Sequence, residues 1–299
     1  MLPLNLWADA QMTVSSSTAG LAATTVALSL VYGMIVGFSL GLTGGGGSIF
    51  AVPLLVYGLG VRPREAVGVS LAAVGATALA GGLRRLLRDE VEVRTGLVFA
   101  AAGMLGAPVG AWLGSRVPEN VLLMLFAVLM IVVATRMWIQ ATRRPEDARA
   151  FRAGDSPAIA EAGPSCRRDR SGSLLWTSRC FVVLILAGLV AGVLSGLFGV
   201  GGGFVIVPAL VFVTGMGIHR AVATSLLVIA LVGASGVAST LLAHRPLPME
   251  LAGLFVLGGV AGMEMGTLAG RRLGGPGLQK VFASAMVVTA AFIAAKRFM

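Results

Sequence analysis

The sequence predicts an all-α integral membrane protein, built as two homologous repeats of about five helical elements each. The 299 residues are 57% hydrophobic and 12% charged, and their mean hydropathy is +0.91. A water-soluble protein of this length needs less apolar surface and a far more charged shell. The second half of the chain also resembles the first at a nearly constant spacing, as in an internal repeat. We expect the repeats to be inverted, with short or broken helices at glycine-rich motifs.

A membrane-spanning helix needs about 20 mainly apolar residues, and several stretches approach or reach that length. In order along the chain they are residues 20–40, 66–83, 95–115, 120–139, 180–198, 221–243, 251–270 and 281–295. Two further apolar runs, 49–59 and 204–214, are only about 17 Å long as helices, too short to cross a bilayer without tilt or extension. Each short run follows a long one, which gives five helical elements in each half.

The internal repeat is clearest when the chain is shifted by 155 residues. Residues 41–81 and 196–236 then share 15 identities in 41 positions. Shared apolar composition produces some of these identities, but it does not align glycine and proline at a single spacing. The aligned positions include Gly44 with Gly199, Pro53 with Pro208, and Gly60 with Gly215. With one more residue of offset, the match extends to the glycines of residues 103–114 and 259–270.

These features divide the chain into an N-terminal tail (1–18), a first membrane repeat (19–139), a polar linker (140–178) and a second membrane repeat (179–299). The linker is rich in Arg, Asp, Glu, Pro, Gly and Ser, which is typical of an exposed and partly disordered segment. No Lys or Arg precedes Arg62. The first apolar run is therefore expected to be a retained helix with its N-terminus outside, rather than a cleaved signal peptide.

The distribution of basic residues indicates the orientation, because Lys and Arg accumulate in cytoplasmic loops. With five elements in each half, 17 of the 23 basic residues lie on the side of the linker, which we expect to be cytoplasmic. If the short runs are only re-entrant, the repeats have four crossings each and are parallel, and the count is 16 of 23. The charge rule barely separates the two arrangements. We favour the inverted one, because the short runs begin and end like helices.

The net charge of +10 does not indicate nucleic-acid binding, because the basic residues occupy short loops and one linker without an RNA-binding motif. The two cysteines, Cys166 and Cys180, are predicted to be ordinary free thiols, since the fold does not need a disulfide between them. No group of His, Cys, Asp or Glu has the spacing of metal ligands, so neither a metal nor a cofactor is expected.

Two glycine-rich motifs are the strongest candidates for a substrate site. Irregular backbone inside a bilayer must line protein or a wet cavity, and paired interruptions in two repeats mark the midplane site of many transporters. The short helices that follow would direct their positive N-terminal ends at the interruptions, which favours an anion. Close helix packing is the alternative explanation, and it is less favoured for two matching copies. The predicted substrate-binding residues here are Gly44, Gly45, Gly46, Gly47, Ser48, Gly199, Gly201, Gly202, Gly203 and Phe204.

Side chains outside the glycine motifs add further candidates. Ser70 and Ser225 occupy matching positions after the short runs, and Thr224 precedes Ser225. Their hydroxyls are candidate donors to an oxyanion, although hydrogen bonds back to their own helices explain them equally well. Glu264 is the one carboxylate deep in an apolar stretch, and it is a candidate for proton coupling. The alternative is that Glu264 lies near the cytoplasmic end of its segment or pairs with Arg271 or Arg272.

The sequence does not predict an enzyme. The glycines are not followed by the Gly-Lys-Ser/Thr of a phosphate-binding loop, and no strand–helix unit of a soluble domain surrounds them. Ser195 is a conceivable nucleophile of an intramembrane hydrolase, but no histidine lies within a segment interior to act as its base. We therefore interpret Ser195 as part of the second glycine break.

The glycine motifs resemble those of the TauE/SafE sulfite-exporter family. The residues that carry the resemblance are 41–48 (Gly-Leu-Thr-Gly-Gly-Gly-Gly-Ser), Val52-Pro53, 66–71 (Ala-Val-Gly-Val-Ser-Leu), 196–203 (Gly-Leu-Phe-Gly-Val-Gly-Gly-Gly), Val207-Pro208 and 221–226 (Ala-Val-Ala-Thr-Ser-Leu). The resemblance covers both halves, leaving out the tail and the linker. It implies a transporter for sulfite, sulfonates or related sulfur-containing anions, moved outward with ion coupling. Ser48 is replaced by Gly203 in the second half, and Glu264 matches no motif of the family.

We therefore predict a multi-pass protein of the cell inner membrane that exports sulfite, an organosulfonate or a related small sulfur-containing anion. Transport is expected to be coupled to an ion gradient, with one half rocking against the other. A passive anion channel, or uptake rather than export, is the alternative. A third hypothesis is a membrane partner that does not transport and uses the Arg-rich linker for docking.

Overall fold

The computed structural model describes residues 5–143, 166, 177–199, 203–243, 247–273, 283–284 and 286–291, and all regular structure within these ranges is helical. Six of the helices are long and apolar enough to cross a membrane. Large apolar side chains on these helices, such as Leu105, Val190 and Leu268, are more than half exposed. Surfaces of this kind are stable only against lipid, so the all-α membrane fold predicted from composition is confirmed.

Most helices follow the predicted spans with small changes at their ends, whereas α1 begins 15 residues before its predicted span. Their bounds are α1, Asn5–Thr43; α2, Ala51–Pro53; α3, Pro63–Leu86; α4, Val93–Arg116; α5, Glu119–Arg143; α6, Ser178–Phe198; α7, Gly203–Thr214; α8, Ile218–Leu242; and α9, Met249–Leu273. Of the span expected over residues 281–295, the described residues 283–284 and 286–291 are helical. Residues 5–18 of the predicted N-terminal tail belong to α1.

Both short apolar runs form helical segments, and the first is irregular. It consists of a 3₁₀ turn (Gly46–Phe50), the single α turn α2 and a π turn (Leu54–Gly58). Pro53 lies between the second and third of these turns and offers no N–H to the helix ladder, which accounts for the change of helical type there. The second short run is the regular helix α7.

Close backbone contacts at glycines show that α1 and α9 are parallel neighbours. A Cβ on Gly37 would overlap the carbonyl of Gly259, and a Cβ on Gly41 would overlap the carbonyl of Met263. The contacting residues advance together along both helices, so the two helices run in the same direction. Contacts this close need small residues, as is common between membrane helices.

The pair α4 and α6 repeats this packing in the other half of the molecule. A Cβ on Gly192 would overlap the carbonyl of Gly103, and a Cβ on Gly196 would overlap the carbonyl of Ala107. An offset of 155 residues relates Gly37 to Gly192 and Gly41 to Gly196. An offset of 156 residues relates Gly103 to Gly259 and Ala107 to Met263, so the contacting pairs match. The periodicity seen in the sequence therefore has a counterpart in matching helix contacts.

The remaining contacts set the direction of each helix. Helix α3 crosses α8 where Gly75 meets Gly233, and the contact between Gly82 and Leu226 shows that these two helices are antiparallel. Between α3 and α9, and between α8 and α4, the contacting residues advance in the same direction along both helices, so each of these pairs is parallel. Helices α1, α3 and α9 thus run one way, and α4, α6 and α8 run the other way. The first helices of the two halves, α1 and α6, are antiparallel, as expected of inverted repeats.

The two cysteines form a disulfide, so the prediction of free thiols was wrong. Cys166 and Cys180 are both buried, and their Cα atoms are 4.8 Å apart. The backbone N–H of Cys166 donates a hydrogen bond of 3.0 Å to the carbonyl of Val213, near the end of α7. Cys166 therefore packs between the start of α6 and the end of α7, a tertiary contact that linker composition does not reveal.

Candidate functional site

The first helix break begins at Gly44, directly after α1. Gly44 has a φ of 72°, in the left-handed region that side chains with a Cβ rarely adopt. Its N–H donates to the carbonyl of Leu40 at 2.8 Å, which completes the last turn of α1. A Cβ on Gly44 would overlap the side chain of Val222 in α8. Only glycine satisfies both the backbone conformation and this contact.

The second break has the same geometry at Gly199, directly after α6. Gly199 has a φ of 69°, and its N–H donates to the carbonyl of Ser195 at 2.8 Å. A Cβ there would overlap Val67 of α3, the residue that matches Val222 in the other half. The predicted site residues Gly201 and Gly202 lie outside the described residues.

Each short segment also ends in a left-handed glycine. Gly60 has a φ of 67° and Gly215 a φ of 63°. Together with Gly44 and Gly199, these are the glycines with positive φ in the described part of the chain, and they form two pairs exactly 155 residues apart in sequence. Left-handed glycines therefore mark the start and the end of both short segments, as in helix C-terminal caps.

The two breaks meet inside the protein. A Cβ on Gly45 would lie 2.5 Å from the carbonyl of Gly203, and a Cβ on Gly203 would lie 2.6 Å from the Cα of Gly45. Helix α7 begins at Gly203, so its N-terminal end, with its positive dipole, lies beside the first break. The predicted residues Gly46 and Gly47 belong to the adjacent 3₁₀ turn, and Phe204 is the second residue of α7.

Two predicted hydroxyls close hydrogen bonds at the first break. The Ser225 hydroxyl lies 2.7 Å from the Gly44 carbonyl and 2.8 Å from the carbonyl of Val222. The Ser48 hydroxyl donates to the Gly45 carbonyl at 2.7 Å. Both side chains are buried, so these hydrogen bonds hold the break in its present conformation.

Ser70 does not lie near Ser225, although the two positions match in the repeat. Ser225 precedes Leu226, which packs on Gly82, and Ser70 lies twelve residues before Gly82 along α3. At 1.5 Å per residue, the two hydroxyls are separated by about 18 Å along the helix axis. The predicted donors therefore form two half-sites at different depths: Ser225 with Gly44, and Ser70 with Gly199.

Thr224 faces away from the glycine break. Its hydroxyl accepts a hydrogen bond of 3.0 Å from the N–H of Glu92, and its methyl group packs against Gly96 at the start of α4. Thr224 thus connects α8 to the α3–α4 loop. In this hydrogen bond the Thr224 oxygen is the acceptor, so the hydroxyl can still donate its own proton. The role of Thr224 as a substrate donor therefore stays a prediction.

Glu264 forms an ion pair with Arg84. The pair connects α9 to the end of α3, and the two side chains are 40% and 64% exposed. The arginine of this pair is Arg84 of α3, not Arg271 or Arg272, which the sequence had suggested. Arg84 could not be identified as the partner from the sequence, because no sequence pattern indicates that α3 and α9 are neighbours.

The buried polar side chains of the described residues are all hydroxyls. They are Ser29, Ser39, Ser48, Ser70, Thr77, Thr95, Ser195, Thr214, Thr224, Ser225 and Thr240. No buried carboxylate, ammonium or guanidinium accompanies the breaks within the described ranges. A ligand at the breaks therefore meets neutral donors and helix dipoles, which suits an anion that must also be released.

The fold and the paired breaks define a class: a multi-pass membrane protein with interrupted helices that contact each other inside the protein, as in secondary transporters. The model of the family described as "Sulfite exporter TauE/SafE" matches residues 4–293. The chain belongs to this family, whose members are membrane transporters rather than enzymes.

Named relatives agree with this family assignment. A "Probable membrane transporter protein" of Xylella fastidiosa (strain Temecula1) is 35% identical over 266 residues, which cover 87% of this chain and 92% of the relative. "Probable membrane transporter protein YunE" of Bacillus subtilis (strain 168) is 30% identical over 217 residues, or 69% of this chain and 75% of the relative. No solved structure matches the chain at a significant level.

Proposed function

We propose that this transporter exports a small sulfur-containing oxyanion, such as sulfite or an organosulfonate, across the inner membrane by alternating access coupled to an ion gradient. The family name supports the class of substrate. The observation that carries the proposal is the contact between the two glycine breaks at Gly45 and Gly203, with buried hydroxyls as the neighbouring polar groups. A doubly charged or singly charged oxyanion fits amide and hydroxyl donors, which offer protons and no negative charge.

The two half-sites support a path rather than a single fixed site. The half-site at Gly44 and Ser225 and the half-site at Gly199 and Ser70 lie on opposite sides of the α3–α8 crossing. An anion that moves from one half-site to the other crosses about 18 Å of the protein. Rocking of the first repeat against the second would expose the half-sites in turn, which is how inverted repeats achieve alternating access.

The proposed function is tested by a substrate panel in proteoliposomes. The wild-type protein is expected to move sulfite with saturable kinetics and to respond to an imposed pH gradient. Sulfate, sulfoacetate and taurine define the tolerance of the site for charge and size. Flux that does not saturate and ignores the pH gradient would identify a passive channel instead.

The double variant Ser70→Ala/Ser225→Ala tests the two hydroxyl donors. Each lost hydrogen bond to a charged group is worth about 1.5 kcal/mol or more, so sulfite binding is expected to weaken at least tenfold. Equilibrium binding of sulfite to the purified protein is the measurement. Thr240→Ala is the matched control, because the Thr240 hydroxyl is buried in α8 but donates only to the carbonyl of Gly236. Unchanged affinity in the double variant would refute the role of these hydroxyls.

The pair Arg84–Glu264 suggests how a proton gradient could drive movement. Protonation of Glu264 would remove its attraction to Arg84 and release α9 from α3. We expect Glu264→Gln to transport sulfite without responding to a pH gradient, whereas Arg84→Gln keeps some response because the carboxyl remains. Because both side chains are partly exposed, each change should alter stability by less than about 1 kcal/mol. A normal pH response in Glu264→Gln proteoliposomes would exclude Glu264 as the proton carrier.

A further inference from the structure

Hydroxyl side chains in the helices of this protein usually bond back to their own helix. Nine described hydroxyls donate to a carbonyl three or four residues earlier: Ser29, Thr43, Ser48, Ser115, Thr135, Thr142, Thr214, Ser225 and Thr240. This is the ordinary way to satisfy a hydroxyl within a membrane helix. Against this background, a buried hydroxyl that makes no hydrogen bond is an exception that needs a physical explanation.

Three buried hydroxyls are such exceptions among the described residues: Ser70, Thr95 and Ser195. Each is at most 1% exposed. A buried hydroxyl without a partner costs roughly 1–3 kcal/mol relative to one that is bonded. Thr95 lies beside Gly96, which packs on Thr224 near the first break, so it is remote from the other two.

Ser70 and Ser195 lie at the same depth beside the second break. Gly199 packs on Val67, which fixes the relative position of α6 and α3 at this point. Ser195 lies four residues before Gly199, about 6 Å along α6, and Ser70 lies three residues after Val67, about 4.5 Å along α3. Because α3 and α6 are antiparallel, both steps lead in the same direction. The two serines are therefore displaced from the break by nearly the same distance.

The two serines also lie close to the contact between the two helices. Residues three or four apart in a helix share a face, so Ser70 shares a face of α3 with Val67. Ser195 lies in the last turn of α6, and its carbonyl accepts the hydrogen bond from the N–H of Gly199. The contact between Val67 and Gly199 brings these two parts of the helices together. Both serines with unbonded hydroxyls therefore lie about one helical turn from the contact between α3 and the end of α6.

The first break has no counterpart of the two unbonded serine hydroxyls. The position that matches Ser195 is Leu40, which is fully buried and has no polar group. The position that matches Ser70 is Ser225, whose hydroxyl bonds to the Gly44 carbonyl. The first break is thus closed by a hydrogen bond beside an apolar residue, whereas the second break presents two open hydroxyls.

We propose that Ser195 is a substrate-binding residue that, together with Ser70, donates hydrogen bonds to one oxyanion at the Gly199 break. This rests on the proposed function and assigns the second half-site as the one that selects the anion. Two O–H donors at similar depth suit two oxygens of a sulfonyl or sulfite group, and they bury no fixed charge. Leu40 cannot serve at the first half-site, so binding is expected to be stronger at the second.

The experiment compares Ser195→Ala with Ser29→Ala in the full-length purified protein. Ser29 is equally buried but donates to the carbonyl of Thr25, so it controls for the loss of any buried hydroxyl. Sulfite binding is expected to weaken about tenfold in Ser195→Ala and to stay unchanged in Ser29→Ala. Without ligand, Ser195→Ala is expected to melt at the same or a higher temperature than the wild type, because the change removes an unsatisfied group.

The combination of unchanged stability and weakened binding separates a contact with substrate from a purely structural role. Ser195→Thr keeps the hydroxyl and is expected to recover part of the affinity. A lower melting temperature of Ser195→Ala with wild-type affinity would overturn the proposal. If the wild-type protein binds neither sulfite nor an organosulfonate, the proposed function itself fails. If it binds one of them and Ser195→Ala binds it equally well, only the role of Ser195 fails.

Discussion

Gly37→Ala is expected to destabilise the protein by about 3 kcal/mol or more, because the new methyl group would overlap the backbone of Gly259 in α9. A side chain can rotate out of the way, but a backbone carbonyl in a neighbouring helix cannot. Helices α1 and α9 would have to separate along their whole interface, where further glycines make equally close contacts. The melting temperature in detergent should fall by roughly 10 °C at a fixed scan rate.

Gly253→Ala provides the matched control on α9. No atom lies within 4 Å of a Cβ built at Gly253, and the residue is exposed. Alanine has a higher helix propensity than glycine by up to about 1 kcal/mol, so this variant should be as stable as the wild type or more so. Gly192→Ala should reproduce the loss in the other half, since Gly192 meets the backbone of Gly103. Equal melting temperatures for Gly37→Ala and Gly253→Ala would show that the α1–α9 contact is looser than described.

The spans and the breaks could be predicted from sequence because each depends on local chemistry. Apolar runs of bilayer length give helices whatever their neighbours are, since lipid leaves the backbone no other partner. Left-handed backbone at Gly44 and Gly199 follows from glycine at the end of a long apolar helix. The offset of 155 residues showed that these local features occur in matching pairs. The structure has matching contacts there, of Gly44 with Val222 and of Gly199 with Val67.

The composition of the site could not be predicted from the same alignment. Residues at matching positions of inverted repeats lie at opposite depths unless they are near the midplane, because the relating axis lies in the membrane plane. Ser70 and Ser225 occupy matching positions in the alignment, but they belong to separate half-sites about 18 Å apart along α3. The alignment does not single out Ser195 as a donor, since its partner Leu40 is apolar. The useful signal for Ser195 was its place one helical turn before the break.

Contacts between distant segments were equally inaccessible to sequence analysis. Arg84 and Glu264 are neither periodic nor repeated, and their pairing depends on α3 and α9 being parallel neighbours. Cys166 lies in a segment whose composition is typical of disorder, yet its N–H bonds to Val213 and its sulfur to Cys180. Both cases require the tertiary structure, because the partners are not specified by any local pattern.

Gly44→Ala is expected to abolish sulfite transport, with a loss of more than tenfold. Two effects add at this residue: a left-handed conformation that costs alanine about 1–2 kcal/mol, and overlap with the Val222 side chain. Gly60→Ala carries the first effect alone, because Gly60 has a φ of 67° and no atom within 4 Å of a new Cβ. Transport by Gly60→Ala should therefore remain well above that of Gly44→Ala when equal amounts of folded protein are reconstituted.

A second substitution distinguishes the two breaks. At Gly44 the overlapping atoms belong to the Val222 side chain, so Val222→Ala removes two of the three nearest ones and should restore part of the transport lost in Gly44→Ala. At Gly199 the nearest atoms are the backbone Cα and carbonyl oxygen of Val67, which Val67→Ala leaves in place. Transport by Gly199→Ala/Val67→Ala should thus stay as low as that of Gly199→Ala alone. If Val222→Ala restores no transport to Gly44→Ala, φ strain rather than the contact with Val222 determines the loss.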